Sequence, residues 1–114
     1  MAGKSVGIEK FEIDMTSLQN CVTLLNGKWR LRILYSILCN GQRNFSSIER
    51  DVSGISARML SKELKELETN QLITRRILGS RPIAVQYELT DYGNTLKKVI
   101  ITLINWGKIK NRIK

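Results

Sequence analysis

The spacing of apolar residues predicts helices in the first half of the chain and at its end. Residues 29–40 carry apolar side chains at i, i+4, i+5 and i+8 from Trp29, the pattern of a helix with one buried face. An Asn-Gly pair follows this segment and also follows residues 16–25, and such pairs are typical of helix ends. We therefore predict helices over 16–25 and 29–40. A polar stripe at four-residue spacing runs along the second helix: Arg32, Ser36 and Asn40.

Residues 1–15 contain only isolated apolar side chains among small and charged ones. We expect them to form a flexible or extended arm that docks locally. The rest of the chain, residues 16–114, has the length of one domain with one hydrophobic core.

Two further helices separated by a tight turn are predicted next. Ser46 and Glu49 have the spacing of a capping box, which predicts a short helix over 47–52. Gly54 marks the turn, and Ser56 is a typical N-cap for a longer helix that extends to about residue 70. This longer helix places three leucines on one inward face: Leu60, Leu64 and Leu67. The arrangement is that of a helix-turn-helix.

The following segment has β-strand character. Residues 72–78 and 83–89 are rich in alternating and β-branched residues, and a turn containing Pro82 separates them. Thr90 then begins a final helix that extends to about residue 112. We predict a mainly α fold with a small β-hairpin, namely a winged helix-turn-helix with an added helix at each end.

The final helix contains more apolar residues than one small core requires, so we assign part of it to a dimer interface. Binding of this basic, amphipathic helix to a membrane surface is the less favoured alternative. The predicted interface residues, including one from the first helix, are Leu18, Val99, Ile100, Leu103, Ile104 and Trp106.

The net charge of +9 indicates what kind of partner the protein binds. Residues 28–81, which include the helix-turn-helix and most of the hairpin, contain eleven basic and five acidic side chains. A surplus of this size in a small domain is typical of proteins that bind a polyanion, most often nucleic acid. A basic, solvated surface without such a partner is the alternative.

Composition also excludes several kinds of chemistry. The chain has no histidine, which removes histidine-based acid–base catalysis and metal binding, and two cysteines cannot form a thiolate zinc site alone. We find no phosphate-binding glycine loop, signal peptide or apolar segment of membrane-spanning length. We therefore expect a reduced cytoplasmic protein with no catalytic residues, no metal and no cofactor. Cys21 and Cys39 are expected to pack as small hydrophobic residues. An intersubunit disulfide or a modified thiol is the alternative.

Several linked segments resemble the HxlR-type family of bacterial winged-helix regulators, which is related to the MarR type. The resemblance covers residues 16–107 and includes a Gly-Lys-Trp opening, a Gly-Ile-Ser start of the longer helix, and a Pro-x-x-Val-x-Tyr-x-Leu-Thr-x-x-Gly run. These motifs begin at Gly27, Gly54 and Pro82. The resemblance implies a homodimeric, DNA-binding transcription regulator that dimerises through its terminal helices. Thr16 stands where oxidant-sensing members carry a cysteine, and Glu63 stands where arginine or glutamine is common, which implies an altered base preference.

The face of the longer helix opposite its leucines is the predicted DNA-reading surface, because an α-helix fits the major groove. Arg58 is the best candidate for a base contact, since its fork matches guanine O6 and N7. The other candidates on this helix are Ser56, Ala57, Ser61, Lys62 and Lys65. Phosphate contacts are predicted for Arg43 and Ser46 before the short helix, and for Arg76 and Arg81 on the hairpin.

Adjacent strand residues face opposite sides, so at most one of Arg75 and Arg76 is expected to contact DNA. For Lys28 and Arg30, phosphate contact and simple solvation both remain open. The aromatic residues Trp29, Phe45 and Tyr87 are assigned to the core rather than to base stacking.

Taken with the resemblance, the expected partners are double-stranded DNA, bound as a pseudo-palindromic operator, a second copy of the chain, and an unidentified small-molecule effector. The effector is expected to bind between the DNA-binding part and the dimer helices. A non-specific architectural nucleic-acid binder and a winged helix used for protein contact are the alternatives.

Overall fold

The computed structural model describes residues 7–79 and 81–112 of the chain. This part contains helices and a small antiparallel sheet, which confirms the predicted mainly α, winged helix-turn-helix fold. In chain order the elements are α1 (Ile8–Leu25), α2 (Arg30–Asn40), β1 (Gln42–Asn44), α3 (Phe45–Asp51), α4 (Ala57–Thr69), β2 (Ile73–Leu78), β3 (Ala84–Leu89), α5 (Asp91–Asn94) and α6 (Lys97–Arg112).

The hydrophobic core is built around α2, as its periodicity predicts. Ile33, Leu34 and Ile37 are completely buried, and the three leucines of α4 pack against them in the same cluster. The remaining buried apolar residues come from α3, the turn after it, the sheet with the residue that precedes β2, and α6: Ile48, Val52, Ile55, Leu72, Ile73, Tyr87 and Ile100. Trp29 and Phe45 pack partly buried against the cluster, which confirms the core assignment of all three aromatic residues.

The helix-turn-helix consists of α3, a turn and α4. Asn44 caps α3 by accepting a hydrogen bond from the Ser47 N–H at 2.8 Å, so the helix begins at Phe45. The predicted capping box at Ser46 is therefore wrong. Gly54 occupies the turn with φ +93°, a conformation that favours glycine. Ser56 caps α4 as predicted, since its Oγ accepts from the Met59 N–H at 3.0 Å.

The sheet has three strands in the order β1-β3-β2, whereas the sequence predicts only two. The β2–β3 hairpin runs from the pair Ile73–Leu89 to the pair Leu78–Ala84, and its strands begin and end within one residue of the predicted bounds. The additional strand β1 pairs antiparallel with β3, with Arg43 opposite Tyr87. The base of the hairpin is thereby attached to the segment that enters α3.

The C-terminal region contains two helices where the sequence predicts one. Thr90 caps α5 by accepting from the Gly93 N–H at 2.9 Å, as expected, but the helix breaks after Asn94 and resumes at Lys97. At Gly93 a Cβ would collide with the Leu72 carbonyl oxygen, so only glycine permits this approach of α5 to the start of the hairpin. The break then directs α6 back over α2, where Ile100 joins the core.

Helix α1 begins at Ile8, so the prediction of an extended arm is wrong from that residue onward. The part of the predicted arm over residues 1–6 lies outside the described residues. No residue of α1 is buried, and only Leu24 and Leu25 at its end pack partly against the core. The other apolar side chains of α1 are exposed, among them Phe11, Leu18 and Val22.

Candidate DNA interface

The outward face of α4 carries the predicted base-reading residues. Burial of the three leucines leaves the rest of the helix surface open, and five of the six candidates lie exposed on or near the opposite face: Ala57, Arg58, Ser61, Lys62 and Lys65. The sixth, Ser56, is exposed at the N-cap, with its hydroxyl oxygen accepting from the Met59 N–H. Among described residues, no carboxylate forms a salt bridge to Arg58, Lys62 or Lys65. Their charges are thus available to an anionic partner.

At the start of α3, the two phosphate candidates differ in their surroundings. Ser46 is exposed in the first turn. Arg43, by contrast, forms a salt bridge with Asp51, with 2.8 Å between Nη2 and Oδ2. Ser36 also donates to that carboxylate oxygen, at 2.7 Å. The hydrogen bonds from Ser36 and from Arg43 hold the pKa of Asp51 below its ordinary value. Arg43 therefore already has a carboxylate partner within the chain.

The polar stripe of α2 has a role that the sequence does not reveal. Ser36 holds Asp51 at the end of α3, and the Arg32 Nη2 donates to the Ser53 carbonyl at 2.9 Å. Arg32 also lies over the Trp29 ring, 5.5 Å from its centroid. The stripe thus fixes both the end of α3 and the turn that leads to α4. Its four-residue spacing is the only sequence signal for this function.

The hairpin presents arginines on two faces and at its tip. Arg76 shares a face with Glu88, and 3.1 Å separates the Arg76 Nε from the Glu88 Oε1. Arg75 stands opposite Tyr87 in the register, on the other face. Arg81 is exposed in the loop before β3. The loop region also exposes Ile83, an apolar residue to which the sequence pattern assigns no role.

Glu63 does not face outward with the other charged residues of α4. It is buried, and its Oε1 lies 2.6 Å from the Nε of Arg30. Glu63 therefore does not present its carboxylate on the outward face of α4, and the altered base preference expected for it stays a prediction. Arg30 neither is simply solvated nor is available for a phosphate contact, because its guanidinium is bound to Glu63 and to the Leu24 carbonyl within the protein. Lys28 lies exposed beside Trp29, with its Nζ 4.8 Å from the ring centroid.

Most of the predicted dimer residues are exposed in the single chain. Leu18 is 61% exposed and Trp106 is 72% exposed, and Val99 and Leu103 are also open to solvent. Ile104 is half-buried. Ile100 is 4% exposed because it packs into its own core, so we now assign it to the core.

Both cysteines are exposed, Cys21 on α1 and Cys39 on α2, so the expectation that they pack as small hydrophobic residues is wrong. Cys39 lines a groove of about 650 Å³ between α2, the end of α3 and α6. Its thiol raises the pKa of the Tyr35 hydroxyl through a side-chain hydrogen bond. The groove is lined by Leu31, Arg32, Tyr35, Ser36, Cys39, Asn40, Asp51, Ile100, Leu103 and Ile104.

The described residues contain neither a metal-binding cluster nor a membrane-spanning helix. Over residues 7–79 and 81–112, no three or more His, Cys, Asp or Glu residues lie close enough together to hold a metal ion. In the same ranges no helix combines the length and the apolar character needed to cross a bilayer.

A helix-turn-helix whose second helix exposes arginine and lysine, beside an antiparallel hairpin, defines a winged-helix DNA-binding protein. The chain matches the HxlR-like helix-turn-helix family over residues 24–112, which include α2 to α6. It belongs to this family, and it is a transcriptional regulator with a helix-turn-helix DNA-binding domain rather than an enzyme.

Similar proteins agree with this assignment. The uncharacterised HTH-type transcriptional regulator YdzF of Bacillus subtilis strain 168 is 37% identical over 86 residues, covering 75% of this chain and 79% of YdzF. The reduced form of the redox regulator HypR superimposes with a TM-score of 0.78 at 29% identity, covering 85% of this chain and 94% of HypR. A regulator assigned to the MarR family from Enterococcus faecalis V583 superimposes with a TM-score of 0.74 at 25% identity, covering 98% and 96%.

Proposed function

We propose that the chain acts in the cytoplasm as a homodimer, with residues 16–114 as one domain, and recognises a pseudo-palindromic DNA operator by sequence. The observation that carries this proposal is the exposed basic face of α4, which contains Arg58 and Lys62, at the position of a recognition helix. Two such helices would enter successive major grooves about 34–36 Å apart.

The base contacts of this proposal are assigned to the N-terminal half of α4. Arg58 is exposed near the start of the helix, where a recognition helix lies deepest in the groove. Its bidentate fork suits guanine, whereas Ser61 and Lys62, one turn later, reach neighbouring bases or phosphates. Lys65 lies a further turn along and is assigned to the groove wall.

Phosphate contacts are assigned to the residues around α4. Ser46 and Arg43 lie at the start of α3, and Arg76 and Arg81 lie on the wing. Arg43 and Arg76 each have a carboxylate partner, at Asp51 and Glu88 respectively, so a phosphate would share or replace that partner. Arg81, which is exposed, is the wing residue most readily available to DNA.

Dimerisation is supported by the exposed apolar surface of the terminal helices. In α1, exposed apolar residues recur at alternating spacings of three and four, the repeat of helices that pack against each other. These residues are Ile8, Phe11, Met15, Leu18 and Val22. On α6, Val99, Leu103 and Trp106 add a second exposed apolar surface. A monomer of this size would leave an unusually large apolar area in water.

The test of DNA recognition begins by selecting bound fragments from a pool of random duplexes and deriving their common motif. Arg58→Ala should then reduce the preference for the selected duplex over a random one by about fivefold or more, because a bidentate base contact contributes about 1–3 kcal/mol of discrimination. Arg81→Ala is the matched control. It should weaken binding to both duplexes equally and flatten the dependence of log affinity on log salt by about 0.9.

If Arg58→Ala leaves the preference unchanged, the assignment of α4 as the reading helix is wrong. Equal affinity of the wild-type protein for selected and random duplex would instead favour an architectural binder. Binding that is absent, or insensitive to salt, would favour a winged helix used for protein contact.

The effector is proposed to act at the groove between α2 and α6, because this groove lies between the DNA-binding part and a dimer helix. HypR is a redox regulator, and here the exposed Cys39 thiol lines the groove. Replacing both Cys21 and Cys39 by serine, and measuring DNA binding with and without oxidant, distinguishes a thiol-dependent effector from a non-covalent one. Loss of an oxidant response in the variant would assign it to these thiols, whereas an identical response, or none in either protein, would exclude them.

A further inference from the structure

Glu63 and Arg30 form a nearly buried ion pair that joins the recognition helix to α2. Their side chains are 10% and 16% exposed, and 2.6 Å separates the Glu63 Oε1 from the Arg30 Nε. Glu63 lies on the inward face of α4, between Leu60 and Leu64, and so does not touch the DNA-reading surface. A charge in this position is costly to bury unless it is paired. Rotation of α4 about its own axis would separate Glu63 from Arg30 and leave both charges unpaired, so the pair restrains this rotation.

The same guanidinium also reaches α1. The Arg30 Nη1 donates a hydrogen bond to the Leu24 carbonyl at 3.1 Å. Leu24 lies in the last turn of α1, where carbonyl oxygens have no partner within the helix. One planar group therefore connects the end of α1, the start of α2 and the middle of α4.

We propose that Arg30 and Glu63 are positioning residues that hold the recognition helix at a fixed orientation to α1 and so set the operator half-site spacing that the dimer accepts. The inference rests on the proposed function, in which α1 lies at the dimer interface and α4 in the major groove. Any change in the angle between α1 and α4 then changes the separation of the two recognition helices. Each inserted base pair moves the half-sites about 3.4 Å apart and turns one relative to the other about the DNA axis, so the accepted spacing depends on both the separation and the relative orientation of the two recognition helices.

Arginine is required for this connection because it presents several donors in a rigid fork. Lysine would keep a positive charge opposite Glu63, but its single nitrogen cannot donate from the separate positions that Nε and Nη1 occupy. Arg30→Lys therefore tests the connection to α1 while preserving the charge. Glu63→Gln tests it from α4, because it removes the negative charge with little change in shape.

The experiment compares the selected operator with duplexes in which one base pair is inserted or removed between the half-sites. Wild-type protein is expected to lose at least about tenfold in affinity on either altered duplex, because the half-sites then move out of register. For Arg30→Lys and Glu63→Gln the loss should fall below about threefold, with affinity for a single half-site within about twofold of wild type. A lower folded fraction would reduce all these affinities together and leave their ratio unchanged, so the ratio reports positioning.

Glu68→Gln is the matched control, because it makes the same change in charge at an exposed position of the same helix. It should keep the wild-type ratio. If Arg30→Lys and Glu63→Gln discriminate spacing as sharply as wild type, the proposed positioning role is overturned.

Hydrogen exchange in the DNA-free protein tests the connection independently of DNA binding. Glu63→Gln should accelerate exchange of the amides of residues 22–25, in the last turn of α1, and Glu68→Gln should not. Acceleration confined to α4 would overturn the inference. If the wild-type protein shows no sequence preference or remains monomeric, the proposed function fails, while the exchange result still decides whether Arg30 and Glu63 couple the two helices.

Discussion

In α4, the three leucines are buried within the chain and the basic side chains face outward; in α1, Phe11, Leu18 and Val22 face outward, and no described residue buries them. Both helices are amphipathic, but α4 covers its apolar face with its own core whereas α1 requires another surface. The position of α4 is fixed by its own core, whereas α1 makes few contacts with that core. Under the proposed function the two faces have different partners, DNA for α4 and a second copy of the chain for α1.

The largest expected difference between α4 and α1 is in how much a leucine on each helix contributes to the free energy of unfolding. Leu64→Ala, in the core face of α4, should lower the free energy of unfolding by about 2–5 kcal/mol, because it removes buried side-chain atoms and leaves a cavity. Leu18→Ala, the same change on α1, should shift it by about 0.5 kcal/mol or less in dilute protein, since Leu18 is exposed there. Chemical denaturation at low protein concentration measures both. Similar losses in the two variants would mean that α1 is buried by its own chain in solution.

The second-largest expected effect is on the dissociation constant of the proposed dimer. Leu18→Glu places a charge in the exposed apolar stripe of α1 and should raise the dimer dissociation constant at least about tenfold, or about 1.4 kcal/mol. Asn20→Glu adds the same charge about 200° around the helix and should have little effect. Sedimentation velocity over a range of concentrations measures the equilibrium. Unchanged association of Leu18→Glu would contradict the assignment of α1 to the interface.

The smallest expected effect is on the pH dependence of the free energy of unfolding. Asp51, at the end of α3, has a pKa held below its ordinary value by hydrogen bonds from Ser36 and Arg43. A depressed folded-state pKa stabilises the protein above the unfolded pKa, which is near 3.9, and this contribution is lost as pH falls through the folded value. Wild type should therefore exceed Asp51→Asn in stability at pH 6, and the difference should shrink as pH falls below about 4. Denaturation curves at several pH values measure it; a constant difference would contradict the assigned cause.

Features with a local periodic or capping signal could be predicted from the sequence. The inward face of α4 follows from the spacing of Leu60, Leu64 and Leu67, and its N-cap follows from Ser56. The strands of the wing follow from their alternation. The start of α1 also has a signal, because Ile8 and Phe11 continue the stripe of Leu18, but isolated apolar residues among charged ones obscure it.

Features that depend on distant partners could not be predicted. The strand β1 is three polar residues, and it exists because β3, more than forty positions later, supplies its hydrogen-bond partners. Glu63 looks like any charged residue of an amphipathic helix until Arg30 is placed beside it. The exposure of Cys21 could not be predicted either, because no local sequence pattern indicates that α1 lies outside the core.

The three-stranded sheet has a consequence for solubility. Both of its edges present unpaired backbone groups, which invite pairing with the sheet of another molecule. The β1 edge is only three residues long, which limits such pairing. The β2 edge is six residues long and carries Arg75 and Arg76 in succession, and like charges keep two such edges apart. Arg75 and Arg76 thus disfavour pairing between β2 edges, and replacing both with apolar residues would leave a more apolar edge that favours aggregation.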